Sequence, residues 1–120
     1  MSKEINNKSQ KHATRHFIAQ RITALLNIPL SIFLLYLIFN LPNMTYADVI
    51  ELFQKPLVTI LTIFLVLNFS YHMKLGMQIV IEDYIHEKKN LKMSYILNNL
   101  LTSIVIIGSL YSIIVIFLKV

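Results

Sequence analysis

The chain of 120 residues has no cysteine and few charged residues, and both deficits narrow its function. Without cysteine it carries no disulfide framework, no zinc–thiolate cluster and no iron–sulfur cluster of its own. Charged residues make up 14% of the chain and hydrophobic residues 56%, a balance that soluble domains of this size do not show. The sequence therefore predicts that most of the surface faces lipid or other apolar protein.

The pattern of a cleavable leader is also missing. The first 20 residues are polar and basic, and no short apolar core with a small-residue cleavage site follows them. A basic, acid-poor start resembles an organellar presequence, but a membrane-spanning run follows almost at once. We therefore expect a bacterial inner membrane rather than the mitochondrial inner membrane.

Three long apolar runs dominate the chain, at residues 22–41, 57–81 and 96–118. Each has about the 20 residues that a helix needs to cross a bilayer, and only helices satisfy their own backbone there. The sequence predicts an all-α bundle of three transmembrane helices at about 15–41, 57–84 and 95–118. A polar basic segment, 1–14, precedes this membrane-anchor domain, 15–120, and a short helix near 47–54 is expected to begin at Thr45 or Asp48.

The basic residues predict the orientation. The net charge is +5, and the charges lie at the edges of apolar runs, which favours a membrane protein over a nucleic-acid binder. By the positive-inside rule we expect the N-terminus and the second loop to face the cytoplasm, or the matrix of an organelle. The charges of that loop either dock soluble subunits or lipid head groups, or only fix the topology. Nine of the eleven basic residues lie on this side: Lys3, Lys8, Lys11, Arg15, Arg21, Lys74, Lys88, Lys89 and Lys92.

Small polar residues recur in the first and third apolar runs. In the first run Thr23, Asn27 and Ser31 follow one another at intervals of four and so share a helix face. Such residues more often bond a neighbouring helix than a ligand, so we interpret them as packing contacts. The third run has a similar set, with the same interpretation: Asn98, Asn99, Thr102, Ser103, Gly108, Ser109 and Ser112.

His72 is the candidate cofactor ligand, because an ionisable residue inside a membrane span is a functional hypothesis by default. It is either a neutral imidazole bonded to another helix or the ligand of a metal or haem. Gly76, one turn later, either clears space for a flat macrocycle or allows close helix packing. One histidine offers one axial ligand, so a bis-histidine haem would need a second ligand from another chain.

A second group of candidates lies where the second helix leaves the membrane. Eleven residues separate His72 from Asp83, which returns the side chain to within about 20° of the same face and about 16 Å along the axis. Tyr84 follows, and we expect Arg21 at the same depth. A phenol with a carboxylate and a guanidinium suits a quinone carbonyl, although a tyrosine of the aromatic belt beside an interfacial salt bridge would look the same.

These residues together resemble the D-type hydrophobic membrane-anchor subunit of succinate dehydrogenase, respiratory complex II. The family pattern is a histidine in the second of three helices, a glycine four residues on and Asp-Tyr eleven and twelve residues on. Here it reads His72, Gly76, Asp83 and Tyr84, and the arginine that the family has at the entry to the first helix matches Arg21. Lys74 and Glu82 have no place in this pattern.

The resemblance implies a site and its partners. His72 would be one axial ligand of the haem b iron, with a histidine of the C-type anchor subunit as the other. Tyr84 would bind ubiquinone, Asp83 would support the quinone site and its proton supply, and Arg21 would lie near the haem propionates or the quinone. A flavoprotein subunit and an iron–sulfur subunit would deliver electrons from succinate.

Two other functions fit a three-helix membrane chain. The first is a small adaptor or assembly protein without a redox centre, in which His72 would tolerate replacement by leucine without a spectral change. The second is a small transporter with His72 and Asp83 as a proton relay. It is disfavoured because three helices with so few buried charges enclose little substrate space.

Overall fold

The computed structural model describes residues 1–119, and this part of the chain contains helices and no strands. Helix α1 spans Ser2–Asn40 and ends in a 3-10 turn, Leu41–Asn43; α2 spans Tyr46–Gln54, α3 Pro56–Tyr84 and α4 Lys88–Leu118. Three of the helices, α1, α3 and α4, are long and apolar enough to cross a membrane. The predicted all-α fold with three transmembrane helices is confirmed.

Two of the long helices begin well before their apolar runs. Helix α1 includes the whole polar segment from Ser2, and α4 begins at Lys88 rather than near residue 95. Lysine, glutamate and glutamine are good helix formers, so the helix continues where the apolar pattern stops. Hydropathy marks the part of a helix that faces lipid and does not mark its end.

The short helix α2 begins with a capping box at Thr45, one of its two expected starting residues. The Thr45 hydroxyl oxygen accepts from the backbone N–H of Asp48 at 3.3 Å, and the backbone N–H of Thr45 donates to the Asp48 carboxylate at 2.9 Å. The Thr45 hydroxyl also donates to this carboxylate, at 2.6 Å. These bonds satisfy donors that a helix start leaves unpaired.

Replacing Thr45 by alanine should loosen the start of α2. Amide exchange of the first turn should rise about fivefold, the usual effect of losing a threonine cap. Hydrogen bonds from the side chain and the backbone of Thr45 lower the pKa of Asp48. The carboxylate therefore stabilises the turn above its unfolded pKa, and this contribution is lost as the pH falls through the lowered value. Unchanged exchange in Thr45→Ala would contradict the capping role, and Thr14→Ala, in α1, is the control.

Helix α3 is the central element of the bundle. It packs against α1 on one side and α4 on the other, while α2 closes the loop end by contacting α3 and α4. The molecule is long and thin, with extents of 61 × 28 × 24 Å. Because α3 contacts both other spans, its side chains can join residues of α1 to residues of α4.

The buried interior is narrow and partly polar. Between α1 and α3 and between α3 and α4 the buried side chains include small hydroxyl groups, which allow close approach of helices in lipid. Most large apolar side chains of the three spans remain exposed in the single chain, as expected where lipid or other subunits cover them. The buried residues are Leu30, Leu37, Leu52, Leu65, Leu75, Ile81, Ile113, Thr23, Thr59, Thr62, Ser70 and Thr102.

Two polar contacts fix the register of α1 against α3. Thr23 contacts His72, and one turn further along both helices Asn27 accepts a hydrogen bond from Asn68 at 2.6 Å. Asn68 also donates to the Thr23 backbone carbonyl at 2.9 Å. The two helices therefore run antiparallel, and the prediction that Thr23 and Asn27 serve helix packing is confirmed.

This register shows where the hydrocarbon core ends. Two residues from the Thr23–His72 contact, Arg21 of α1 lies level with Lys74 of α3. From this level to the opposite ends of the apolar runs, the two helices extend about 26 and 30 Å, close to the ~30 Å of a hydrocarbon core. We therefore infer an edge of the core near Arg21 and Lys74. We call the end of the bundle beyond this level, which carries the N-terminus and residues 85–87, the basic end.

The polar residues of α4 differ in their contacts. Asn98 donates to the backbone carbonyl of Lys74 at 3.0 Å, so it joins α4 to α3 as expected. Ser103 and Ser112 are exposed and bond carbonyls of their own helix. A Cβ built on Gly108 would meet no described atom within 4 Å. Within residues 1–119 these last three residues form no hydrogen bond to another helix, so their role in packing stays a prediction.

Candidate functional site

His72 faces α1 and does not point into open lipid. Helix α3 is continuous from Pro56 to Tyr84, so His72 and the Asp83–Tyr84 pair project from one unbroken helix, as the sequence predicts. The His72 Nδ1 atom lies 2.8 Å from the hydroxyl oxygen of Thr23. The imidazole ring is half-buried, and its orientation is set by this contact across the α1–α3 interface.

The surroundings of the Thr23 hydroxyl favour one tautomer of His72. This hydroxyl lies 2.8 Å from the Ala19 carbonyl and 3.1 Å from the Gln20 carbonyl, both in its own helix. A hydroxyl has one hydrogen, and when a carbonyl takes it the oxygen can only accept from His72. The imidazole then carries its proton on Nδ1 and has a lone pair on Nε2.

The Nε2 atom of His72 has no hydrogen-bond partner among residues 1–119. A neutral imidazole bound to a metal through one nitrogen usually donates its other N–H to a hydroxyl, carbonyl or carboxylate, which fixes the tautomer. Thr23 provides such an acceptor here. The arrangement fits an axial ligand of a haem iron, in which Nε2 would bind the iron.

A cleft of about 430 Å³ lies beside His72, between α1 and α3. Two atoms of its lining residues, His16 Nε2 and Gln20 Oε1, are buried and have no hydrogen-bond partner in the described chain. Buried polar atoms are rarely left unpaired, so these two indicate that water, a cofactor or another subunit completes the site. The lining residues are Ala13, His16, Phe17, Gln20, Arg21, Ala24, His72 and Ile79.

Arg21 lines the same cleft as His72. Its guanidinium carbon lies 5.1 Å from the centre of the Phe17 ring, one turn earlier on α1, which is a cation–π contact. The side chain is exposed and offers five N–H donors to an anionic or carbonyl group that enters the cleft. The structure therefore brings Arg21 and His72 together.

Asp83 and Tyr84 do not join this cleft. Both are exposed, Tyr84 by 81%, and neither belongs to the described lining of the cleft. Tyr84 lies ten residues beyond Lys74, or about 15 Å along the axis from the level of Arg21. The expectation that Arg21 lies at the depth of the Asp83–Tyr84 pair is therefore wrong, because α1 continues past the membrane edge alongside α3.

Gly76 lies against α1. A Cβ at this position would be 3.5 Å from Gln20 Nε2, an ordinary van der Waals distance. Gly76 is also missing from the described lining of the cleft next to His72. Of the two interpretations of this glycine, the contact with α1 favours close helix packing.

The sequence analysis missed Thr23 and Gln20 as members of the site. Thr23 was predicted only as part of a polar stripe, and Gln20 was not predicted as a site residue. A usable signal was present: Thr23 and Asn27 have the same four-residue spacing as Asn68 and His72. Two polar stripes of equal spacing on adjacent spans predict paired contacts, because antiparallel helices meet at matched turns.

The fold and the site together define a class of protein. The chain is a multi-pass membrane protein whose half-buried histidine contacts a hydroxyl group of a neighbouring helix. No three side chains among His, Cys, Asp and Glu of residues 1–119 come together to hold a metal ion. A metal at His72 would therefore need ligands from a macrocycle or another chain.

The sequence matches the family of succinate dehydrogenase/fumarate reductase transmembrane subunits over residues 2–115, and the chain belongs to this family. It is 38% identical over 80 residues to the succinate dehydrogenase hydrophobic membrane anchor subunit of Rickettsia bellii, covering 67% of this chain and 64% of the relative. The aligned part is thus slightly less than two thirds of that relative's length.

Two further relatives carry the same name. The protein of Rickettsia prowazekii is 32% identical over 87 residues, covering 71% of this chain and 70% of the relative. The protein of Rickettsia conorii is 34% identical over 90 residues, with the same shares of 71% and 70%. No solved structure matches the sequence.

Proposed function

We propose that the chain is the D-type membrane-anchor subunit of a succinate dehydrogenase, and that it helps pass electrons from succinate oxidation to ubiquinone. Its family and the names of its relatives support this assignment. The observation that carries it is the Thr23–His72 contact, because it leaves Nε2 of an intramembrane imidazole free to bind iron.

His72 would hold haem b from one side, and a histidine of the C-type anchor subunit would bind the other side. When bound, the haem would supply a one-electron carrier. Thr23 keeps the imidazole oriented, and Asn68 holds the two helices in register. Arg21 shares the cleft with His72, so of its two expected roles the one beside the haem propionates is the better supported.

The quinone would bind at the end of α3. Tyr84, the last residue of the helix, would donate its phenol hydrogen to a quinone carbonyl, and Asp83 would support the site and its proton supply. The exposure of both side chains leaves them free to contact a quinone held between this chain and its partners. Arg21 is about 15 Å away along the axis, too far to share one quinone ring with Tyr84.

Replacing Tyr84 by phenylalanine should weaken quinone binding. The KM for a soluble quinone should rise about fivefold, the usual effect of losing one hydrogen bond. Tyr46→Phe, an equally exposed tyrosine at the other end of the bundle, is the matched control and should leave the KM unchanged. An unaltered KM and inhibitor affinity in Tyr84→Phe would remove Tyr84 from the quinone site.

The basic end would face the cytoplasm in a bacterial inner membrane, where the soluble subunits dock. In this arrangement residues 1–14 form the exposed start of α1 and residues 15–120 the membrane-anchor domain. Affinity purification in mild detergent tests the assignment. We expect a flavoprotein, an iron–sulfur protein and a second small hydrophobic subunit to co-purify. Recovery of the chain with none of the three would favour an adaptor without a redox centre.

A further inference from the structure

Lys74 lies in a second cleft between α1 and α3, of about 280 Å³. Two of its lining residues, Lys74 and Arg15, are cationic, and Tyr71 contributes a phenol on the helix turn before Lys74. No aspartate or glutamate belongs to the described lining, which consists of His12, Arg15, His16, Tyr71, Lys74, Leu75 and Gln78. The cleft therefore concentrates positive charge and hydrogen-bond donors.

The ammonium group of Lys74 lacks a counter-charge in the single chain. Lys74 is half-buried and forms no ion pair with any of residues 1–119. The nearby carboxylate of Glu82 is engaged elsewhere, accepting from Gln78 at 3.1 Å and from the Tyr95 hydroxyl at 2.9 Å. A lysine at the edge of a membrane span is costly unless its charge reaches water or an anion.

The depth of the cleft matches the phosphate layer of a bilayer. Lys74 lies where the hydrocarbon core ends, and Arg15 lies about 9 Å further out along α1. Below this level α1 and α3 expose apolar side chains, among them Ile22, Leu26 and Leu67, against which acyl chains can pack. A ligand in the cleft would therefore meet cations at its head and apolar surface below.

We infer that this cleft binds the phosphate head group of an anionic phospholipid. Lys74 and Arg15 pair with the phosphate from two different helices, and the Tyr71 hydroxyl donates a further hydrogen bond. The lipid would thereby clamp α1 to α3 next to the His72 cleft. This cleft shares His16 with the cleft beside His72 but contains neither His72 nor Tyr84, and the proposal does not depend on haem or quinone binding.

Native mass spectrometry tests this proposal. The sample is the full chain together with any subunits that co-purify with it. The protein is exchanged into nanodiscs of phosphatidylcholine containing a minor fraction of phosphatidylglycerol, and the retained lipid is counted. We expect wild type to retain phosphatidylglycerol preferentially. Lys74→Gln and Arg15→Gln should each reduce this retention about fivefold, the worth of one cation at a membrane surface.

Matched variants separate the site from general surface charge. Lys92→Gln removes one lysine from the α4 side of the basic end and should retain the lipid as wild type does. Lys74→Arg keeps the positive charge and should retain phosphatidylglycerol as wild type does. Arg15 is exposed, so Arg15→Gln tests the site even if Lys74→Gln fails to fold.

Three results would overturn the proposal. Equal retention of phosphatidylcholine and phosphatidylglycerol would show that the head-group charge is not recognised. A loss in Lys92→Gln as large as that in Lys74→Gln would show nonspecific attraction to the surface. Displacement of the lipid by inorganic phosphate would identify a site for free phosphate. Haem content and quinone turnover are separate measurements, so their failure would not affect this result.

Discussion

Replacing His72 by leucine should remove the haem b absorption band from the purified assembly. Leucine fills similar space but has no nitrogen lone pair, so the iron would lose one of its two axial ligands. We expect haem per assembled complex to fall by at least about tenfold. This is the lower end of the loss in metal affinity that follows when the residues around a metal site are altered. The measurement is the reduced-minus-oxidised difference spectrum, normalised to the amount of complex.

His86→Leu is the matched control for this variant. His86 is exposed and follows the end of α3, so its loss should leave the band unchanged. A normal band in His72→Leu would remove the ligand assignment. The wild-type assembly could also contain no haem. His72 would then be a structural residue that bonds α1 to α3, which is the other interpretation of an intramembrane histidine.

Replacing Thr23 by valine should weaken haem binding although Thr23 would not touch the haem. Valine has nearly the shape of threonine but cannot accept the Nδ1 hydrogen of His72, so the ring loses the bond that fixes its tautomer. Loss of such a supporting partner usually costs ten- to a hundredfold, so we expect haem dissociation to accelerate by about tenfold or more. The measurement is the rate of haem transfer to an excess of an acceptor protein.

Two control variants isolate the effect of the hydroxyl. Thr23→Ser retains the hydroxyl and should behave like wild type. Thr62→Val changes another buried threonine whose hydroxyl bonds only the Val58 carbonyl of its own helix, and it should not alter haem release. Equal rates of haem release in Thr23→Val and Thr62→Val would contradict the positioning role of Thr23. Normalising the haem signal to the amount of assembled complex separates this effect from a loss of assembly.

The membrane helices could be predicted because lipid imposes a strong constraint on sequence. Three runs of about 20 apolar residues are long enough to cross a bilayer, and a helix forms all of its backbone hydrogen bonds within one such run. The start of α4 at Lys88 could not be predicted in this way, because helix propensity beyond the membrane leaves no hydropathy signal. The start of α2 was easier, because Thr45 and Asp48 form a recognisable capping box.

The site was only partly predictable, because its geometry depends on the register between helices. The position of His72 in an apolar run and its alignment with Asp83 follow from one helix alone. The contact with Thr23 and the level of Arg21 depend on how far α1 slides along α3, and no single helix contains that information. This is why Arg21 was expected at the depth of Tyr84 and instead lines the cleft beside His72.

The most direct test of the proposed function is a cryo-electron microscopy map of the assembly that co-purifies with the chain. We expect a macrocycle whose iron is coordinated by His72 Nε2, with Nδ1 of the same ring within hydrogen-bond distance of the Thr23 hydroxyl. A map in which His72 Nε2 is bonded to another helix, with no macrocycle beside it, would contradict the account.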